Sequence, residues 1–381
     1  MPVTFHLWRA PDYNSAMTVQ WKYLRRFDWL LLAAMLALAV FGALIIRGVE
    51  ANSFYEGRFV RQIAYLGAGV LAFAFGAVVD YRLWGRWARW VYLGLLGSLV
   101  LVLVLGASFG GARSSFDLGL FRVQPAEFAK VLLVLVLGKY MADHDMRGLR
   151  HLLISLVITL VPAGLIAIEP DLGGALLLLP LWFVMAFVAG MRVWHMGGLA
   201  LLGAACVPLS LRFLERYQID RIVTFLDPTS DQAGGGYNTI QALIAIGSGG
   251  WFGQGYGQGM QSQLHYLRQR YTDYIFSVIA EEFGLVGVML FFLVVILLIF
   301  RVLRAGRMAQ DQYGRLIAVG IAASLFMQTI LNVGVNLNVL PTTGQTLPFI
   351  SYGGSSLLTF MFSLGIVESI LLRRKTLKFD W

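Results

Sequence analysis

The sequence predicts an all-α polytopic integral membrane protein with about ten transmembrane helices. Of its 381 residues, 58% are hydrophobic and 13% are charged, whereas soluble domains contain about 25% charged residues. Apolar runs of roughly 18 residues or more, long enough to cross a bilayer as helices, recur along the whole chain. A polar, glycine-rich segment at 214–272 follows the seventh run and is predicted to form a large extracytoplasmic loop before the eighth span.

The predicted spans are separated by charged or turn-forming residues. The first span follows a polar segment of 28 residues, which predicts a retained helix and not a cleaved signal peptide. Pro125 begins the fourth span, at a helix position that tolerates proline. The predicted spans are 29–46, 59–79, 90–108, 125–141, 151–168, 172–190, 194–213, 274–300, 316–340 and 357–372.

One membrane domain, residues 29–372, is expected between the terminal segments 1–28 and 373–381. Basic residues cluster at the span ends on the face that contains both termini, and the positive-inside rule places that face in the cytoplasm. The net charge of +9 is assigned to these span ends and not to nucleic-acid binding. Within the large loop, the apolar stretch 239–246 is too short to span and predicts a re-entrant or interfacial helix.

Asp273, just ahead of the eighth span, is the first candidate for a catalytic residue. A carboxylate at the mouth of a span can act as a general base on a hydroxyl group at the water–membrane boundary. The alternative is a structural role as an N-cap of the following helix. Glu281, two turns deeper, is expected to hold spans together through buried hydrogen bonds, and Glu282 is given no role.

A second group of candidates surrounds the start of the fourth span. Glu127 and Lys130 are three residues apart, so they share a helix face and can form an ion pair. Arg113 and Arg122 lie just upstream and could join Lys130 in a cationic pocket for a phosphate-bearing head group. The alternative is that these arginines are ordinary surface or snorkelling residues.

Three further residues are expected to contribute to substrate binding. Asp171 begins the sixth span, either as an N-cap or as a pocket acid. Ser351 lies in PFISYGGSS, whose small residues either line a cavity or let spans pack closely. Gln263 belongs to the glycine-rich run GYGQGMQSQ of the large loop. Glu127 and Asp273 could hold Mg²⁺ or Mn²⁺ near a diphosphate, although the sequence does not require a cation.

These residues alone fit either an enzyme that acts on a lipid-linked phosphate or a transporter. Five stretches, in order along the chain, resemble the SEDS (shape, elongation, division and sporulation) family of bacterial peptidoglycan glycosyltransferases. The resemblance extends over nearly the whole chain, and GYGQGMQSQL and AEE are similar to the elongation member, with the division member second. The five stretches are DLGLFRVQPAEFAK, EPDLGGALL, FLDPTSDQAGGGYNTIQALIAIGSGG, YTDYIFSVIAEEFGLVG and LPTTGQTLPFISYGGSS.

The resemblance implies which residues act in this chain. Asp273 matches the acid regarded as catalytic in the family, and Asp171 matches the acid of its EPDLG motif. Arg113 and Arg122 match two upstream family arginines. The family motif QPxExxK matches Gln124, Pro125, Glu127 and Lys130. This chain departs from the family pattern in two predicted outer loops, at Ser114–Ser115 and at 267–269, where Leu-Arg-Gln replaces Leu-Pro-Glu.

The resemblance also implies the reaction and the partners. The expected reaction is inverting polymerisation of lipid II into β-1,4-linked glycan strands at the outer face of the bacterial cytoplasmic (inner) membrane. The expected partners are lipid II, the nascent glycan strand, a class B penicillin-binding protein with a single span, and other membrane proteins of the elongation complex. The alternatives are a lipid II flippase, the division-specific paralogue and a scaffold that only recruits the transpeptidase.

Overall fold

A computed structural model describes residues 26–50, 57–109, 112–117, 119, 122–210, 216–231 and 234–374. Most of the predicted terminal segments, 1–25 and 375–381, therefore lie outside the described residues. The described chain is predominantly helical, and the prediction of an all-α membrane protein is confirmed. In chain order, the helices are α1 (Trp29–Glu50), α2 (Arg58–Val78), α3 (Tyr81–Arg86), α4 (Ala88–Leu105), α5 (Pro125–Asp143), α6 (Leu149–Ile168), α7 (Leu172–Val188), α8 (Val193–Ser210), α9 (Arg216–Leu226), α10 (Gly235–Ser248), α11 (Met260–Gln263), α12 (Ile275–Met308), α13 (Gln312–Asn336) and α14 (Gly354–Leu372).

Seven of the described helices, α1, α2, α4, α6, α12, α13 and α14, are long and apolar enough to cross a membrane. The other three predicted spans correspond to α5, α7 and α8, each of which lies at its predicted position. Helix α5 contains four charged residues, and α7 has 17 residues, so both are weaker spans by composition or length. The count of ten spans and the side of the large loop stay predictions.

Helix α12 is interrupted at Gly284, where the backbone takes a φ of 65° that favours glycine. The glycine-rich loop that follows α10 binds to this break through its backbone. The carbonyl of Glu282 accepts a hydrogen bond from Gly255 N at 3.0 Å, and Leu285 N donates to the carbonyl of Gly250 at 2.9 Å. The loop therefore satisfies helix groups that the break exposes, as buried backbone groups require.

The large loop is more helical than the sequence analysis predicts. It contains α9, a short 3₁₀ turn at Pro228–Ser230, α10 and α11, and α10 extends the predicted 239–246 helix at both ends. The carboxylate of Glu281 accepts from the backbone nitrogens of Gln261 (2.6 Å) and Ser262 (3.2 Å) in α11. Glu281 thus makes buried hydrogen bonds, as expected, but its partners belong to the loop and not to a neighbouring span.

The connector ahead of α5 forms a small antiparallel sheet that the polar sequence does not predict. Strands β1 (Ala107–Phe109), β2 (Ala112–Asp117) and β3 (Arg122–Val123) lie in the order β1-β2-β3. The end of the sheet is bound to the first turn of α14, because Ser355 Oγ donates to the Arg122 carbonyl at 2.6 Å and accepts from Gln124 N at 2.9 Å. These two bonds fix the backbone of Arg122 beside α14.

Candidate active site

The turn 271–273 ahead of α12 is held by hydrogen bonds to three successive backbone carbonyls. Tyr352 N donates to the Tyr271 carbonyl at 2.8 Å, and Ser351 Oγ donates to the Thr272 carbonyl at 2.7 Å. The Asp273 carbonyl accepts from the side-chain amides of Asn332 and Asn336 in α13. A carboxylate on a turn fixed in this way is preorganised, which is the property that a catalytic group needs.

The Asp273 side chain does not cap α12. The helix begins at Ile275 and its N-cap position is Tyr274, and the first-turn amide of Ser277 donates to Asn336 Oδ1 at 3.0 Å and not to the Asp273 carboxylate. The Asp273 carboxylate is half-buried and lines two cavities. Burial raises its pKa to about 6, and a Thr272 hydrogen bond and the Arg221 charge only partly oppose this rise. A carboxylate with a pKa in this range is suited to general-base catalysis near neutral pH.

The larger of the two cavities, here called the central cavity, has a volume of about 760 Å³. Four arginines line it, together with the carboxylates of Glu127 and Asp273 and the hydroxyls of α14. The guanidinium of Arg58 stacks on the Tyr271 ring at 4.2 Å from its centroid, next to the fixed turn. The lining arginines are Arg58, Arg61, Arg122 and Arg268. Planar guanidinium groups bind phosphate oxygens two at a time, so this cavity suits a diphosphate.

The smaller cavity, here called the loop cavity, has a volume of about 350 Å³ and is also lined by Asp273. Helices α9 and α10 of the large loop supply part of its lining, including Asp220, Arg221 and Asn238. Gln269 and Asp273 line both cavities. The Asp273 carboxylate is therefore positioned where groups entering from the two cavities would meet.

Glu127 and Lys130 form the ion pair that their spacing permits, with Lys130 Nζ 2.8 Å from Glu127 Oε2. The Lys130 side chain is only 3% exposed, and its ammonium also donates to Gln328 Oε1 at 2.8 Å and to Gln345 Oε1 at 3.5 Å. Glu127 lines the central cavity, whereas Lys130 lies beneath it. Lys130 is therefore joined to the central cavity through Glu127 and does not line the cavity itself.

Asp171 is connected to this network. Its carboxylate caps α7 through a 2.8 Å bond from Gly174 N and accepts a 3.3 Å bond from Gln345 Nε2. Gly173 lets the segment 343–345 lie close to α7, because a side chain at position 173 would collide with the Thr343 carbonyl. Burial raises the pKa of Asp171. The predicted capping geometry is present, and Asp171 also lies close enough to Asp273 for its charge to raise the Asp273 pKa.

The remaining predicted site residues occupy different places. Arg122 lines the central cavity, and the backbone of Arg113 lies in β2 while its side chain is outside the described part of the structure. Ser351 is buried, and its hydroxyl holds the turn 271–273 through the Thr272 carbonyl. Gln263 Nε2 donates to the Gly48 carbonyl at 2.9 Å, so it ties the loop to the end of α1 and does not line either cavity.

Several residues of this site are absent from the sequence-based predictions. Arg58 and Arg61 were detectable as charges at the predicted outer end of the second span. Asn332 and Asn336 were detectable as polar residues within the apolar α13. Arg221 and Arg268 give no such indication, because they lie in a polar loop where charge is ordinary. Only the folding of the loop over the spans brings these two arginines to Asp273.

The described residues contain no group of three or more His, Cys, Asp or Glu side chains that could hold a metal ion. Glu127 and Asp273 both line the central cavity, but Lys130 already neutralises Glu127. Hard divalent cations need about six oxygen ligands. These two carboxylates are therefore too few to form a resident cation site by themselves.

Comparison with known proteins identifies the family. The profile of the FtsW/RodA/SpoVE family, described as a cell cycle protein, matches residues 24–376. The chain is 38% identical over 353 residues to the peptidoglycan glycosyltransferase MrdB of Escherichia coli, across 92% of this chain and 95% of that protein.

Two solved structures are similar over 92% of this chain. One is a chain of a peptidoglycan synthase complex whose structure concerns the coordination of polymerization and crosslinking (TM-score 0.79, 32% identity, 99% of that chain). The other is the rod shape determining protein RodA of Thermus thermophilus (TM-score 0.69, 30% identity, 98% of that chain). The chain therefore belongs to the FtsW/RodA/SpoVE family of cell cycle proteins, and the resemblance to the SEDS family is confirmed.

Proposed function

We propose that this protein is a peptidoglycan glycosyltransferase that polymerises lipid II during cell elongation. The glycosyltransferase activity and the elongation role rest on the relative named MrdB and on the neighbour named RodA. The observation on this chain that supports the proposal best is Asp273, a half-buried carboxylate on a fixed turn between a cavity rich in arginine and a second polar cavity.

In this proposal Asp273 is the general base of an inverting transfer. Its carboxylate takes the proton from the 4-hydroxyl of an acceptor sugar, and the freed oxygen attacks the anomeric carbon of a lipid-linked donor. The new glycosidic bond forms as the bond to the diphosphate breaks, and the lipid diphosphate leaves with its electron pair. Because the donor is α-linked and the product β-linked, one direct displacement accounts for the inversion without a covalent intermediate.

The arginines of the central cavity stabilise the leaving diphosphate. Arg58 and Arg122 come from different elements, α2 and β3, so together they can surround a diphosphate. Preorganised positive groups aimed at developing charge supply a large part of the catalysis in such sites. Arg113, on the neighbouring strand β2, belongs to the same proposal. Glu127 orients the substrate in the central cavity. Lys130 holds Glu127 by an ion pair, and Asp171 is connected to Lys130 through Gln345.

A divalent cation enters the proposal only as a counterion of the substrate. Mg²⁺ is commonly held by one or two carboxylates together with substrate phosphate oxygens, and Glu127 and Asp273 are the two carboxylates in the central cavity. Because Lys130 is paired with Glu127, the cation has no catalytic role of its own. Loss of polymerisation after chelation, restored by Mg²⁺ or Mn²⁺ with unchanged thermal stability, is the expected behaviour of such a counterion.

A class B penicillin-binding protein is the proposed partner, supported by the similarity to a chain of a peptidoglycan synthase complex. Both termini are proposed to be cytoplasmic, with Asp273 at the outer face of the inner membrane. Cysteine-accessibility labelling of single-cysteine variants in intact cells tests this orientation, since residues of the large loop should react with an impermeant reagent and residues near Arg304 should not.

Two other functions are tested by the same preparation. A flippase would move labelled lipid II across sealed vesicles without forming polymer, and a scaffold would tolerate the loss of Asp273. Glycan chains made from purified lipid II by the reconstituted protein, with no transfer of label in vesicles, support the enzyme. Transfer of label without polymer would contradict it.

A further inference from the structure

Tyr271, two residues before the proposed base, joins the turn 271–273 to an arginine of the central cavity. The guanidinium carbon of Arg58 lies 4.2 Å from the centroid of the Tyr271 ring, well within the range of a cation–π contact. Both side chains line the central cavity, and Tyr271 is only 5% exposed. One turn therefore carries the proposed base, Asp273, and also the ring that contacts an arginine proposed to bind the leaving diphosphate.

The Tyr271 side chain is held by contacts that do not involve Arg58. Its hydroxyl donates to the Val49 carbonyl at the end of α1, at 3.4 Å, and accepts from Arg270 Nη2 at 3.3 Å. Its backbone carbonyl accepts from Tyr352 N at 2.8 Å. A long arginine side chain loses much conformational freedom when its guanidinium is held. A ring that is already fixed lowers the cost of placing the Arg58 guanidinium.

A second guanidinium, that of Arg270, contacts the same ring at 4.8 Å from its centroid. Arg270 is buried, does not line the central cavity, and forms no ion pair within the described part of the chain. Salt screens a buried charge weakly, so the two guanidinium groups repel each other across a short distance. Negative charge bound at Arg58 relieves this repulsion, which favours an anionic ligand on the Tyr271 side of the central cavity.

We propose that Tyr271 is a positioning residue, which holds the Arg58 guanidinium in register with Asp273 so that it binds the diphosphate of the lipid-linked donor. This role rests on the proposed function. In a direct displacement the attacking hydroxyl and the departing diphosphate lie on opposite sides of the anomeric carbon, so the base and the cation must be held at a set separation. Tyr271 provides this link, since its backbone belongs to the turn of Asp273 and its ring contacts Arg58.

A double-variant cycle on polymerisation by the full-length protein and its transpeptidase partner tests this role. Tyr271→Leu should lower kcat/KM roughly tenfold, the loss expected for one desolvated cation–π contact. Added to Arg58→Gln, the same substitution should change kcat/KM by less than about twofold, because the ring then has no guanidinium to position. Tyr271→Phe keeps the ring and removes both hydroxyl hydrogen bonds, so it should retain most of the activity.

Tyr313→Leu is the matched control. Tyr313 is 7% exposed, and it lies near the start of α13. By the rise of that helix it is about 35 Å from Asn336, which binds the turn 271–273. Its loss should leave kcat/KM per folded protein unchanged, and melting temperatures identify a variant with a folding defect. Tyr271→Met, a flexible apolar replacement, repeats the cycle where the leucine variant does not fold.

Binding of a polyprenyl diphosphate to Asp273→Asn protein measures the same coupling without turnover. Tyr271→Leu should weaken this binding, and it should have little further effect once Arg58→Gln is present. Losses that multiply in both cycles would overturn the role of Tyr271, and so would equal losses from Tyr271→Phe and Tyr271→Leu. Wild-type protein that forms no polymer would contradict the proposed function, whereas the binding cycle would still decide whether Tyr271 positions Arg58.

Discussion

The side-chain amide of Asn336 donates a 2.8 Å hydrogen bond to the backbone carbonyl of Asp273. Asn332, one turn earlier in α13, donates to the same carbonyl at 3.0 Å. The Asn336 oxygen in turn accepts from both the backbone nitrogen and the hydroxyl of Ser277, at 3.0 and 2.6 Å, in the first turn of α12. Asn336 therefore fixes the proposed base and the start of the following helix to α13 at once.

Asn336→Ala should lower kcat more than it changes KM, because it releases the turn without removing a group that contacts substrate. A displacement of about 1 Å at a reacting group can cost roughly 10²-fold in rate. Steady-state polymerisation rates over a range of lipid II concentrations measure the effect. Thr329→Ala is the matched control, since Thr329 is buried in the same helix and its hydroxyl donates to the Leu325 carbonyl at 2.8 Å and not to the turn. Equal effects of the two substitutions would contradict a positioning role for Asn336.

The rate of polymerisation should rise with pH through about 6. The base acts as a carboxylate, and burial raises the pKa of Asp273 to about 6, so the protonated and inactive form dominates below that pH. The rate should fall about tenfold for each pH unit below the pKa and level off above it. Initial rates between about pH 5 and 8, with lipid II well below KM, report the pKa of the free enzyme. A profile that is flat across this range would argue against Asp273 as the titrating base.

Lys130→Met should destabilise the protein by about 3–5 kcal/mol, because it leaves the buried Glu127 carboxylate without its cation. The double variant Glu127→Gln/Lys130→Met should recover part of this loss. Lys139→Met is the matched control, since Lys139 and Asp143 form an exposed pair on the same helix, which is worth at most about 1 kcal/mol. The free energy of unfolding of the three variants is measured in the same detergent. Similar losses of this free energy for Lys130→Met and Lys139→Met would refute the prediction.

Glu169→Gln should stabilise the protein, and more so at high pH. Glu169 is 1% exposed, and burial followed by the charge of Asp171 raises its pKa from 4.5 to about 8. Its contribution to stability is therefore complete below about pH 4.5 and is lost as pH rises toward about 8, since the unfolded chain releases the proton first. The variant should gain roughly 1–3 kcal/mol at about pH 8 and much less at about pH 5. A gain that is independent of pH would contradict this interpretation.

Hydrophobic runs made the helical membrane fold predictable, because only helices and closed barrels satisfy their backbone groups in lipid. The spacing of Glu127 and Lys130 likewise made their ion pair predictable. The break at Gly284 was not predictable, since the helix continues in sequence and only the backbone of the distant 250–255 loop shows why it opens. The sequence proposes Asp273 as a candidate base, but the hydrogen bonds that fix its turn were not predictable, because Ser351 and Asn336 are distant in the chain.

Gel analysis of glycan chains made from purified lipid II tests the central claim most directly. Wild type and Asp273→Asn would be compared, each purified with the cognate class B penicillin-binding protein. Asn keeps the size of the side chain and removes the base, so the wild type should form long chains and the variant none, with equal melting temperatures. Chains of normal length and rate from Asp273→Asn would contradict the assignment and move the search for the base to Glu127.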